Sequence, residues 1–340
     1  MKKGDVVMEN YLKYVTIRLI QTLIVIFIGI TIVFFAPRFT SMDPVQSVIM
    51  RAYAQSTVDP QVIQNLVETL KDLYGLRGSI WEQYLRFWKH LLRGNLGPSF
   101  TMFPTPVIEI ILKSLPWTIG LLLISTLIAW VLGIILGTLA GYFPNYKISK
   151  FLSIVITFLY PVPYYIIALI LIFLFCYVFP IFPLLGGAGI GLKPSLNFSF
   201  ILSVIKHGFL PALSLIIGTT CFIFMTQRAL VSTLIGSDFI VFSEIAGLSR
   251  RKIFFYLIRN SMLPQITDLA LFLGSIFGGA LMTEIVFSYP GIGQILYSAI
   301  LQSDFNLIMG ISIFSVVGVA FAAFILDLIY PLLDPRIRIR

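Results

Sequence analysis

Long apolar runs alternate with short polar stretches along this chain, and the alternation sets its elements. Runs of about 20 mostly apolar residues can cross a bilayer as helices. Six fit, at 15–36, 117–140, 151–179, 208–225, 266–285 and 308–330, the fourth being the shortest. The one sizeable polar region lies between the first two runs and carries two amphipathic helix patterns. Val62, Ile63, Leu66, Val67, Leu70 and Leu73 share one face of the first; Trp81, Tyr84, Leu85, Trp88 and Leu92 share one face of the second. Gly75, Gly78, Gly94, Gly97 and Pro98 punctuate them. These helices either cover the spans or dock a partner. The pattern predicts an all-α polytopic membrane protein of six transmembrane helices, with a small helical outer segment between helices 1 and 2. Its expected parts are 1–36 (cytoplasmic N-terminus and helix 1), 37–116 (outer segment), 117–330 (core, including a cytoplasmic loop at 229–263) and 331–340 (cytoplasmic tail).

Composition agrees. Hydrophobic residues make up 58% and charged residues 11%, with a mean hydropathy of +0.96, so the apolar surface exceeds what one water-soluble core can hide. The net charge of +9 comes without a dense Lys/Arg cluster interleaved with aromatics, which excludes a nucleic-acid partner. The basic residues instead bracket the apolar runs: Lys2, Lys3, Lys13 and Arg18; Lys147 and Lys150; Arg228, Arg250, Arg251, Lys252 and Arg259; Arg336, Arg338 and Arg340. By the positive-inside rule these stretches and both termini face the cytoplasm, in a multi-pass protein of the inner (cytoplasmic) membrane. The first run is too long for a signal-peptide core and no A-x-A-like site follows it, which predicts an uncleaved anchor. Cys176 and Cys221 lie inside apolar runs, where they act as small packing residues.

Catalytic constellations are absent. There is no phosphate loop and no H-E-x-x-H, and the two histidines, His90 and His207, fall in a polar loop and at a span end. No catalytic residue, metal site or bound cofactor is therefore expected. Within the spans, Gly133, Gly137 and Gly141 recur every fourth residue and predict close helix packing. Pro161 and Pro163 predict a kink near the start of the third span. Gly274 and Gly278, with Gly279 beside it, mark either close packing or a pathway. Charges in lipid demand a reason. Glu284 and Asp327 stand near span ends, where solvent or a neighbouring helix can satisfy them. Asp268, about a turn after Pro264, could face a water-filled vestibule. Asp268, Gly274, Gly278 and Glu284 are the translocation-path candidates. Arg18 reads as a snorkelling cation.

The segment 239–264 is polar and basic, has a helical pattern, and is wedged between two apolar runs. Phe239, Ile240, Phe242, Ile245 and Ala246 give a short helix an apolar face, Gly247 can end it in the left-handed conformation, and a basic helix starts at Arg250. A projecting knob with an apolar face suits docking by a soluble partner.

At these residues the chain resembles the permease subunits of ABC importers of the dipeptide/oligopeptide (binding-protein-dependent, type I) family. The loop's SEIAG, Gly247 and Leu263-Pro264 carry the resemblance, together with YVTIRLIQTLIVIFIGITIVFF, YGLRGSIWEQYLRFWKHLLRGNLGPSF, YPVPYY, HGFLPALSL, TEIVFSYPGIGQILYSAILQSDF and LDLIYPLLDPRIR. The resemblance implies pairing with a second homologous permease, docking of two cytoplasmic ABC ATPases, and delivery by an extracytoplasmic solute-binding protein. ATP and Mg2+ would be bound by the partner subunits. It places Ser243, Glu244, Ala246, Gly247, Leu248, Arg250 and Arg251 in an ATPase-coupling loop and Tyr289, Pro290, Gly291 and Gly293 in an outer loop motif. The chain departs from the family at Ser41 to Pro44, at Asn95 and at Asp268. With no histidine ligands in the spans, an organic solute is favoured over nickel, and peptide slightly over oligosaccharide. The rival class, an ion-coupled secondary transporter relaying through Asp268 and Glu284, would leave the knob without a role.

Overall fold

A computed structural model describes residues 3–39, 68–69, 77–192, 194–195, 197–276 and 280–333. The first outer amphipathic pattern, Ser41 to Pro44, Gly278, Gly279 and the basic tail lie outside the described residues. The described elements are helical. α1 (Lys3–Phe35) extends by a 3-10 turn to Phe39; α2 is Ile80–Leu91, α3 Val107–Tyr142, α4 Lys147–Leu159 and α5 Tyr164–Ile172, which continues as a π turn to Val178. Then come α6 (Phe198–Ile235), α7 (Asp238–Ile245), α8 (Arg250–Ser275), α9 (Leu281–Val286), α10 (Ile292–Leu301) and α11 (Phe305–Leu333).

Four of these, α1, α3, α6 and α11, are long and apolar enough to cross a membrane, and α4 with α5 makes a fifth span if the bent pair is counted as one. The expectation of six separate spans is corrected on two points. The run 266–285 is not a helix of its own: α8 starts in the basic loop at Arg250 and passes through Pro264, while Glu284 belongs to the short α9. The third span bends at Pro161 and Pro163 as their spacing predicts, but as a break of 98° between Leu159 and Tyr164 that divides it into α4 and α5, because the two prolines lack the N–H groups that would continue α4, and Pro163 instead starts α5.

The packing glycines sit where their spacing predicts. α3 and α6 form the closest helix pair, and a Cβ on Gly133 would stand 2.6 Å from Ile223 Cβ, one on Gly137 2.8 Å from the Phe224 carbonyl oxygen, and one on Gly141 2.8 Å from Val231 Cγ1. Small residues in one row let the two backbones approach. A buried amide closes the seam: Gln227 on α6 donates to Thr138 on α3 at 2.7 Å and to Ser261 on α8 at 2.8 Å.

α1 lies along α11. Arg18 is more than a snorkelling cation, since it stands 3.5 Å from Asp327, whose backbone carbonyl also accepts the Tyr14 hydroxyl at 3.0 Å. At the other end of α1, α2 is fixed by a capping box between Ser79 and Glu82. Its expected apolar face divides: Tyr84, Phe87 and Trp88 stack on Phe27, Phe34 and Phe35, whereas Leu85 and Leu92 are exposed.

Candidate functional site

The residues singled out by sequence gather at opposite ends of the bundle. At one end the chain leaves α6, forms α7 and returns as α8. Ile240 is fully buried against Val231, Ile253 and Leu257 and anchors α7 to the bundle. The helix stops at a Schellman turn: Leu248 N–H donates to Ser243 O at 3.1 Å, Gly247 N–H to Glu244 O at 3.0 Å, and Gly247 has φ +74°. Ser249, in extended backbone, stands at the N-cap position of α8, and its carbonyl accepts the Lys252 and Ile253 N–H groups. This geometry leaves Phe242 73% and Ile245 79% exposed on the knob. Glu244, Ala246, Arg250 and Arg251 are exposed beside them. A notch of about 250 Å³ separates Glu244 and Arg250 from the loop Tyr142, Phe143, Pro144, Asn145 and Tyr146. Sequence reasoning missed that loop; its aromatic and turn residues between two spans were the available sign.

At the opposite end, Glu284 is fully buried and grips the start of α10. One carboxylate oxygen accepts the Thr118 hydroxyl at 2.8 Å; the other accepts the N–H groups of Gly293 at 2.6 Å and Gln294 at 3.2 Å. A carboxylate at a helix N-terminus satisfies unpaired amides and complements the dipole. The outer loop residues build this grip. Tyr289 is buried edge-on to Trp117, Pro290 packs against Gly187, and a side chain on Gly291 would occupy the place of the carboxylate. Thr118, which also receives the Ile292 N–H at 2.8 Å, was not legible in sequence because it lies on another helix.

Among the described residues, the pathway candidates Asp268, Gly274 and Glu284 are not brought together. Asp268 is partly exposed in mid α8, and no hydrogen bond joins it to Glu284 among the described residues. Gly274 faces α11, where a Cβ would stand 3.5 Å from Ala322 Cβ. A second missed cluster centres on Asp304, fully buried, which accepts from Ser99 Oγ, from Thr101 N and Oγ1 at 3.0 Å each, and from Leu307 N at 3.1 Å. An aspartate just before an apolar helical run was its sequence sign. No group of three metal-ligating side chains occurs among the described residues.

The chain is a polytopic helical bundle with an exposed helical knob between α6 and α8 and several helices long and apolar enough to cross a membrane. Residues 133–339 match the family described as "Binding-protein-dependent transport system inner membrane component". The chain is 30% identical over 282 residues to an oligopeptide transport system permease protein of Bacillus subtilis, covering 82% of this chain and 87% of that one. It is 28% identical over 331 residues to a nickel import system permease protein of Staphylococcus aureus, covering 97% of this chain and 93% of that one. The chain belongs to this family and is a membrane permease subunit of an ATP-binding-cassette importer; the family's subunits transport and do not themselves hydrolyse ATP.

Proposed function

We propose that the chain forms half of the translocation pathway for a peptide or a related solute. A second homologous permease supplies the other half, two cytoplasmic ATPases dock on the α7–α8 knob and on its counterpart in that second permease, and a solute-binding protein delivers at the opposite face. ATP and Mg2+ act on the ATPases. Both termini lie on the knob's side of the membrane, facing the cytoplasm. The observation that carries this reading is the knob: the buried Ile240 and the Gly247 turn leave Phe242 and Ile245 exposed, and nothing among the described residues covers them. A large apolar side chain exposed on a rigid, polar, basic knob marks a docking surface. Transport would couple to the ATPases by alternating access, with movement passing through residues 243–251.

The test is purification of the tagged chain from its native membranes in mild detergent, with the Phe242→Asp/Ile245→Asp variant alongside. Recovery of a second permease and two ATPases with the wild type, and loss of the ATPases alone with the variant, is expected. A chain that comes alone and transports after reconstitution overturns the reading in favour of a secondary carrier.

Peptide is favoured as substrate by the oligopeptide relative and by the lack of a metal-ligating cluster among the described residues. Nickel is the second reading, favoured by the nickel relative's coverage of 97% of the chain. Competition between labelled peptide and nickel for uptake by membrane vesicles separates them.

A further inference from the structure

Between the end of α1, the outward face of α2, the loop 95–104 and the start of α11 lies a cavity of about 450 Å³. Its size falls in the range of about 300–1,000 Å³ typical of small-molecule sites. It is at the end of the bundle opposite the α7 knob, since α3 runs from this cavity's edge at Val107 to the knob's notch at Tyr142.

The lining divides by chemistry. Arg38, Arg86 and His90 stand on one side; Phe103, Met309 and Ile313 contribute an apolar wall. Among the described residues no acidic side chain lines the cavity, and none of Arg38, Arg86 and His90 forms an ion pair. Arg38 is held rather than free to swing. Its guanidinium lies 3.5 Å over the Phe34 ring, donates to Phe34 O at 2.7 Å, and donates to Gln83 Oε1 at 3.3 Å. Arg86 is steadied by a bond to Arg77 O at 3.2 Å. A guanidinium has more donors than these bonds use, and a fixed, partly buried cation without a carboxylate favours an anion able to accept several of them. The apolar wall then separates a lipid from a bare ion. Beside the cavity, α1 exposes Phe27, Ile28 and Ile32, a flank on which acyl chains can lie, and the aromatic girdle of Trp81, Tyr84 and Trp88 stands at the same level, as in membrane interfaces.

We propose that this cavity binds the phosphate headgroup of an anionic phospholipid from the leaflet opposite the α7 knob. Arg38 and Arg86 hold the phosphate, and the α11 wall receives the glycerol and the first acyl methylenes. The site is independent of the proposed substrate and of the ATPase contact.

The experiment is thermal unfolding of the purified full chain in detergent, titrated with phosphatidylglycerol, with phosphatidylcholine, or with inorganic phosphate. Phosphatidylglycerol is expected to raise the unfolding midpoint saturably, while the other two do not. Loss of one charge-assisted contact in Arg86→Gln should weaken the effect about tenfold. Asn95→Asp provides a second variant: Asn95 lines the cavity and its Oδ1 accepts the Gly97 N–H at 2.9 Å, a bond aspartate keeps, so the added carboxylate should compete for the cations and remove the phosphatidylglycerol shift. Equal stabilisation by phosphatidylcholine, or a phosphatidylglycerol effect unchanged in both variants, overturns the site. An equal, Arg86-dependent effect of inorganic phosphate overturns the lipid in favour of a free anion.

Discussion

Glu284 receives the backbone N–H of Gly293 at 2.6 Å, across a turn that Gly291 keeps open for the carboxylate. Glu284→Ala strands the Thr118 hydroxyl and the amides of Gly293 and Gln294 in a buried place. Each orphaned group costs about 1–3 kcal/mol, so the variant should unfold well below the wild type in detergent and transport poorly. Gly291→Val should do the same by steric exclusion. A wild-type midpoint in both would show that the grip does not hold α9 to α10.

Gly137 tests the α3–α6 seam. A methyl there meets a backbone carbonyl that cannot step aside, and overpacking costs about 1–3 kcal/mol. Gly120 lies on the same helix with nothing within 4 Å of its Cβ position, so Gly120→Ala should be neutral or stabilise by up to about 1 kcal/mol through helix propensity. The thermal midpoint should therefore fall for Gly137→Ala and hold or rise for Gly120→Ala.

Gly247 has open space around it but a left-handed backbone. Any L side chain there costs about 1–2 kcal/mol in that conformation, and a β-branched one more. Gly247→Val should abolish ATP-driven uptake while the membrane-inserted level stays near normal; Gly247→Asn, which tolerates the conformation, should retain most uptake. Normal transport by the valine variant would remove the knob from the coupling mechanism.

Asp268 is the acid in the spans for which the structure supplies no hydrogen-bond or ion-pair partner among the described residues. If it meets solute, Asp268→Asn should change uptake rate or solute preference with ATPase assembly intact. Unchanged transport would leave it a packing residue.

The sequence by itself determined the class of protein, because hydropathy runs, basic brackets and glycine spacing are local properties that lipid and helix geometry read directly. It also determined the knob, whose short helix, Gly247 and basic restart are all consecutive in the chain. Tertiary structure decided what depends on other helices. The bond from Thr118 to Glu284 and the pairing of Arg18 with Asp327 join residues far apart in sequence. A buried acid looks the same in one dimension whether it faces a pathway or caps a helix. Only the arrangement of α3, α9 and α10 makes Glu284 a cap, because a carboxylate in a dry interior must take whatever donors the packing brings within reach.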